Sequence, residues 1–181
     1  CWVYGTKAAK NAGLLVAEKR YDTIVSDCSA AGAVHQKTTN YDELGRLKST
    51  TTTIGASSYT SSVNYDSLGR VGEQSYPENL LTIVNHYNTY GYLYKRTDKA
   101  TGIAYQTIEQ MNAKGGVENV IYGNGTEELT AYDEALGWVS NIQLKNAGGM
   151  LHDLEYVFDG VGNLTYRKHQ LSSASTTFAE T

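Results

Sequence analysis

Proline is nearly absent from this sequence: average usage would place roughly nine in a chain of this length, and Pro77 is the only one among 181 residues. A proline-rich linker and a collagen-like chain are thereby excluded. Cysteine is scarce as well. Cys1 and Cys28 are too few for a disulfide framework and form no CxxC metal pair, so the residues alone leave open both their pairing and the redox compartment. Basic clusters are missing from a chain of net charge −4, and without them to meet phosphates no nucleic-acid partner is expected. No stretch approaches the roughly 20 consecutive apolar residues of a spanning helix, so no membrane span is expected either. The chain opens on Cys1 without the basic and apolar stretches of a secretory signal. The expectation is a mature piece, or an internal piece of a longer protein. At about 100 to 200 residues per domain, the length allows one ordinary domain or a short run of repeats.

Tyrosine is abundant, with 15 copies against two Phe, and many of the tyrosines recur in one pattern. Tyr41-Asp42-Glu43-Leu44-Gly45-Arg46-Leu47 is followed 24 residues on by Tyr65-Asp66-Ser67-Leu68-Gly69-Arg70-Val71. Further copies begin at Tyr87, Met111, Tyr132 and Phe158, after steps of 22, 24, 21 and 26 residues. The shared formula is an aromatic, Asp or Asn, two variable residues, Gly, any residue, then Leu or Val. Met111-Asn112 replaces the aromatic–Asp pair in the fourth copy, and one residue is inserted before Gly137 in the fifth. The chemistry of the formula is that of a turn. The aromatic suits the end of a strand, the Asx side chain bonds the backbone two residues on, and Gly supplies the positive φ that closes the turn. The Leu or Val then restarts the alternation of a second strand.

A second set of turn signals falls between the copies, at 76–79, 98–102, 122–125 and 146–149. Turns about every 8 to 12 residues indicate a hairpin meander. The intervening runs Lys48–Ile54, Leu81–His86, Ala104–Glu109, Val117–Tyr122, Val139–Leu144 and Leu154–Phe158 read as strands, and no window carries a helical period. Three regions are expected: an irregular or decayed repeat over 1–33, six repeats forming one continuous sheet over 34–171, and a polar tail over 172–181. Within the first region, Leu14–Ala17 and Thr23–Val25 read as strands; Ser172–Thr177 reads as a loop or frayed end.

The six copies, with Tyr122-Gly123-Asn124-Gly125 between them, resemble the YD repeats of the RHS family. That family includes bacterial polymorphic toxins, the cocoon-forming components of Tc insecticidal toxin complexes, and the teneurins. The resemblance covers about 41–171. It implies an all-β fold in which consecutive antiparallel hairpins build a curved or spiral sheet, a segment of a hollow shell. It also implies two partners, the rest of the shell and a toxin cargo, and a secreted or cell-surface bacterial setting. The family's self-cleaving aspartates and its variable toxin domain have no counterpart here.

No enzyme is expected and no cofactor or metal site. His35, His86, His152 and His169 lack metal-ligand spacing, no GxSxG elbow occurs, and the Asx residues recur six times, which an active site does not. The residues expected to carry the function are the turn formers Asp42, Gly45, Asp66, Gly69, Gly91, Gly115, Asp133, Gly137, Asp159 and Gly162. With them go the aromatics Tyr41, Tyr65, Tyr87, Tyr132 and Phe158, read as a ladder stacked across strands. The competing expectation is an adhesion module that binds carbohydrate or a partner protein through its Tyr-rich face.

Overall fold

Short runs rich in β-branched residues and Tyr, cut by tight turns, leave each strand one economical partner: the strand just before it. The computed structural model describes residues 1–171 and 175–179, which form fifteen strands and a 3₁₀ turn at Pro77–Asn79. The chain divides into two units, Cys1–Val84 and Asn85–Thr181.

In the first unit β1 (Trp2–Tyr4), β2 (Leu15–Arg20), β3 (His35–Tyr41), β4 (Leu47–Ile54), β5 (Ser57–Tyr65) and β6 (Val71–Ser75) pair antiparallel in chain order. The start of β7 (Thr82–Tyr87) pairs with β6. Directly opposed residues share a face, and here the register gathers hydroxyls. Ser49, Ser62, Ser75 and Thr82 follow one another across four strands, and Thr38, Thr51 and Thr60 across three. The hydroxyls bond to each other, Thr51 to Thr60 at 2.8 Å and Thr53 to Ser58 at 2.9 Å. This side of the sheet therefore needs no apolar cover.

In the second unit β8 (Leu93–Asp98), β9 (Ala104–Met111), β10 (Val117–Tyr122), β11 (Glu127–Tyr132), β12 (Val139–Asn146), β13 (Gly149–Phe158), β14 (Leu164–Leu171) and β15 (Ser175–Ala179) also pair in chain order. One face carries Ile108 and Val120 in register, and Thr130, Ile142 and Leu154 in register. The other is charged and paired: Lys145 meets Glu127 at 3.1 Å, Asn119 donates to Glu127 at 3.0 Å, and Lys168 lies 3.9 Å from Glu155. Among the described residues Val120, 4% exposed, is the most deeply buried apolar side chain.

Three details differ from the sequence reading. Thr23–Val25 forms no strand, and Ile24 is fully exposed. Both edges of β2 are already taken by β1 and β3, so a β-branched triplet there has no ladder to join. In the polar tail, Ser175–Ala179 is a strand paired with β14, because hairpin pairing outweighs small polar composition; residues 172–174 and 180–181 of that reading lie outside the described residues. The two-residue Gly55-Ala56 turn between β4 and β5, with Gly55 at φ 58°, was not foreseen.

Candidate functional site

Within each unit every second turn of the meander falls on one rim, and the repeat copies form these turns. In each, the Asx side-chain oxygen bridges two backbone amides. Asp42 Oδ1 accepts from Leu44 and Arg46, and Asp66 Oδ1 from Leu68 and Arg70, all at 2.9 Å. Asn88, Asn112 and Asp159 bridge their amides in the same way at 2.9 to 3.0 Å. Asp133 accommodates the inserted residue by taking the amides of Ala135 and Leu136, at 3.1 and 2.7 Å. Gly45, Gly69, Gly91, Gly115, Gly137 and Gly162 all have positive φ, between 76° and 93°. Each donates its amide back to the Asx carbonyl.

The aromatic ends its strand opposite the Leu or Val of its own copy: Tyr41 pairs Leu47, Tyr65 pairs Val71, Tyr132 pairs Val139 and Phe158 pairs Leu164, each beside a register shift. Tyr87 ends β7 before the Asn88 turn. At Tyr41, Tyr65 and Tyr132 the link to the neighbouring hairpin, expected as ring stacking, is a hydrogen bond from the tyrosine hydroxyl. Tyr41 donates to Leu15 O at 2.8 Å, Tyr65 to Leu47 O at 2.9 Å and Tyr132 to Val117 O at 3.0 Å. Each acceptor is the residue that reopens a strand on the neighbouring hairpin, so the hydroxyl ties the rim ends of adjacent hairpins.

The residue after the turn glycine solves one packing problem in three ways. Arg46 is held by Asp42, at 2.7 Å through both Nε and Nη2, and lies 4.0 Å over the Tyr65 ring. From there its Nη1 reaches the place where a Cβ on Gly69 would stand. Trp138, where other copies have Arg, packs on Phe158 with centroids 5.3 Å apart and lies against Gly162. Gly116 has no side chain, and the Tyr132 ring fills that place: a Cβ on Gly116 would come 2.9 Å from Tyr132 Cζ. Lys114 then covers Gly137 and donates to Glu134 O at 3.1 Å. These copies are completed by their neighbours. The same relationship exposes a copy missed in the sequence: Gly13 has φ 81°, Leu14 lies against Gly45, and Leu15 accepts from Tyr41. Only the glycine and the following Leu-Leu mark it, since Ala9 and Lys10 stand in the aromatic and Asx places.

These bonds set the charge state of the rim. The Asp66 carboxyl is held below the usual carboxylate range by the Arg70 amide, assisted by the Arg70 guanidinium and the Leu68 amide against an opposing desolvation. Asp159 is lowered chiefly by the Asn163 side-chain amide. For Asp42, desolvation alone would raise the carboxyl, but the Arg46 and Leu44 contacts outweigh it. Away from the rim, Cys1 and Cys28 form a disulfide with their Cα atoms 5.5 Å apart. The histidines all sit on strands; His86 bonds Thr97 at 2.8 Å, and His152 meets His169 edge-on.

The class defined by this construction is a β-hairpin repeat protein in which sheet growth and turn stacking are the same event. No protein-family description and no curated protein matches the chain. Solved structures do. The chain is similar to TcdB2-TccC3 without its hypervariable C-terminal region, with a TM-score of 0.66 and 14% identity over 93% of this chain and 10% of that one. It is similar to TcdB2-TccC3-Cdc42, with a TM-score of 0.65 and 14% identity over 87% of this chain and 9% of that one. A Photorhabdus luminescens Tc holotoxin pore gives 0.62 and 15% identity over 87% and 9%. The fold is thus one found in Tc toxin chains, and this chain spans about a tenth of their length.

Proposed function

We propose that the chain is a non-enzymatic stretch of shell wall, belonging to a larger secreted or surface-exposed bacterial polypeptide that encloses or carries a toxin cargo. The observation that carries this reading is the rim, where turn after turn is met by a side chain or hydroxyl of the adjacent copy, as at Tyr65, Tyr132 and Trp138. Such a sheet lengthens hairpin by hairpin without a natural stop, which suits a wall. The fold shared with TcdB2-TccC3 supports it. The test is the mass of the native polypeptide at its source. A species roughly ten times as long as this chain, with further repeat copies, is the expected result. A native species ending near Thr181 would overturn it.

One observation favours a second reading, adhesion. Tyr90, Tyr92 and Tyr94 are all exposed, and Tyr92 and Tyr94 border a groove of about 410 Å³ with Asn88 and Met111. Carbohydrate binding there is tested on a glycan array with Tyr92→Ala and Tyr94→Ala. Signal lost on substitution would place adhesion ahead of the wall.

A further inference from the structure

His152 and His169 stand 17 residues apart in the sequence, a spacing that matches no metal-ligand motif. The β13–β14 hairpin removes that separation. His152 is paired with Leu171 and Leu154 with His169, so the two imidazoles are diagonal neighbours on one face of adjacent strands. Their ring centroids lie 5.4 Å apart at an interplanar angle of 85°. Both residues are half-buried.

The surroundings leave His152 without a partner. Leu144 on β12 and Leu171 on β14 flank it across the sheet, and neither side chain can donate or accept a hydrogen bond. Asp153, Glu155 and Lys168 alternate onto the opposite face. Glu128 shares the histidine face but stands beyond Leu144, and it already accepts from the Tyr122 hydroxyl at 3.1 Å. His152 Nδ1 is accordingly buried and bonded to nothing among the described residues. A buried polar atom left in that state is rare and costs stability until something meets it. A metal ion held by imidazole sits about 2 Å from the nitrogen and about 3 Å from the ring centre, so two rings on one ion stand at most about 6 Å apart. The 5.4 Å between these rings falls within that limit.

We propose that His152 and His169 form a two-histidine site for a divalent transition-metal ion, Cu²⁺ above all, with His152 Nδ1 as one ligand. Neutral imidazole suits these ions, and Cu²⁺ heads their affinity order. No third His, Cys, Asp or Glu joins the pair among the described residues, so water completes the coordination. The bound ion ties β13 to β14 across the sheet, and the site stands on this hairpin alone, whether or not the chain is a shell wall.

Calorimetric titration of Cu²⁺, and separately of Ni²⁺, into the untagged whole chain tests the site at roughly pH 7.5, where protons compete little for the ring nitrogens. Structural zinc centres have four ligands, and half such a set leaves a Kd of about 1 to 100 µM. One ion per chain in that range is expected, bound more tightly for Cu²⁺ than for Ni²⁺, with no uptake of Mg²⁺, which prefers oxygen ligands. The electron paramagnetic resonance spectrum of the Cu²⁺ complex should show coupling to two imidazole nitrogens. His152→Ala and His169→Ala, each with the circular dichroism of the parent, should weaken binding about tenfold or more, while His35→Ala and His86→Ala leave it unchanged. Should neither of the first two variants fold, the spectrum of the parent decides. A parent that takes up neither ion below about 1 mM, a complex with fewer than two nitrogens, or undiminished binding in the folded His152→Ala variant would each overturn the proposal.

Discussion

The Tyr65 hydroxyl donates to the Leu47 carbonyl at 2.9 Å, beyond the last ladder pair of β4 and β5, Ser49 with Ser62. A side chain thus continues a pairing that the backbone has ended. Replacing Tyr65 by Phe leaves the ring under Arg46 and removes only this bond. The expected loss is about 0.5 to 1.5 kcal/mol, toward the low end because the site is exposed. Tyr65→Leu, which also removes the cation–ring contact, should cost more. Urea unfolding midpoints of the two variants measure the difference. Equal midpoints for Tyr65→Phe and the parent would show that the hydroxyl contributes nothing.

Two glycines make a paired test of the turn. Gly69 has φ 80°, and an added Cβ would stand 3.3 Å from Arg46 Nη1. Gly69→Val should therefore cost roughly 1 to 2 kcal/mol from the left-handed conformation alone, with a further cost if Arg46 is displaced from Tyr65. Gly160 sits at the first variable position of the sixth copy, where its φ is not positive and a Cβ meets nothing within 4 Å. Gly160→Ala should be neutral. Thermal melts of both variants decide it, and an unchanged melting temperature for Gly69→Val would remove the strain argument.

The turns were legible in the sequence because their determinants are local. Asp42 and Gly45 act within five residues, and the formula that contains them repeats. Strands followed from the turns: β10 runs Val117–Tyr122, as its composition indicated. What sequence did not show was contact between copies. Gly116 reads as a residue of no fixed type, yet the Tyr132 ring lies over it. Trp138 reads as a departure from Arg, yet with Phe158 it does what Arg46 does with Tyr65. Each substitution makes sense only beside its neighbour 16 to 20 residues away. The Ala9–Leu15 copy was missed for the same reason, its Asx bridge being absent while its outward contacts remain.

The carboxylates that bridge the turns make stability depend on acid. Asp66 is held low by the Arg70 amide first, and its folded value lies below its unfolded one. A depressed carboxyl contributes stability that is present in full above the unfolded value, near 3.9, and that is lost as pH falls through the folded value. The midpoint of unfolding should therefore be flat from neutral pH down to about 5 and drop below about 4. Asp66→Asn keeps the Oδ1 acceptor, as Asn88 and Asn112 do naturally, but cannot titrate. It should lower stability at pH 7, where the Arg70 ion pair is lost, and shrink the difference from the parent as pH approaches 3. Curves that stay parallel across that range would show that Asp66 is not a source of the acid dependence.

β1 is held to the edge of its sheet by three residue pairs, Trp2 with Glu18, Val3 with Ala17 and Tyr4 with Leu15, with a register shift before the last. So short an edge strand would fray on its own, and the Cys1–Cys28 bridge ties its start to the loop that follows β2. Lys19 Nζ and the Tyr21 hydroxyl both donate to Cys28 O, fixing the loop side of the bridge. Closing a loop across a separation of 27 residues restricts the unfolded chain by about 3 to 4 kcal/mol in the loop-entropy treatment. Reduction, or Cys28→Ser, should therefore lower the unfolding midpoint reported by Trp2 fluorescence and speed amide exchange at Val3 and Tyr4. If the reduced chain kept both its midpoint and its protection at Val3, the three pairs of β1 would be sufficient and the bridge would contribute nothing to holding the edge.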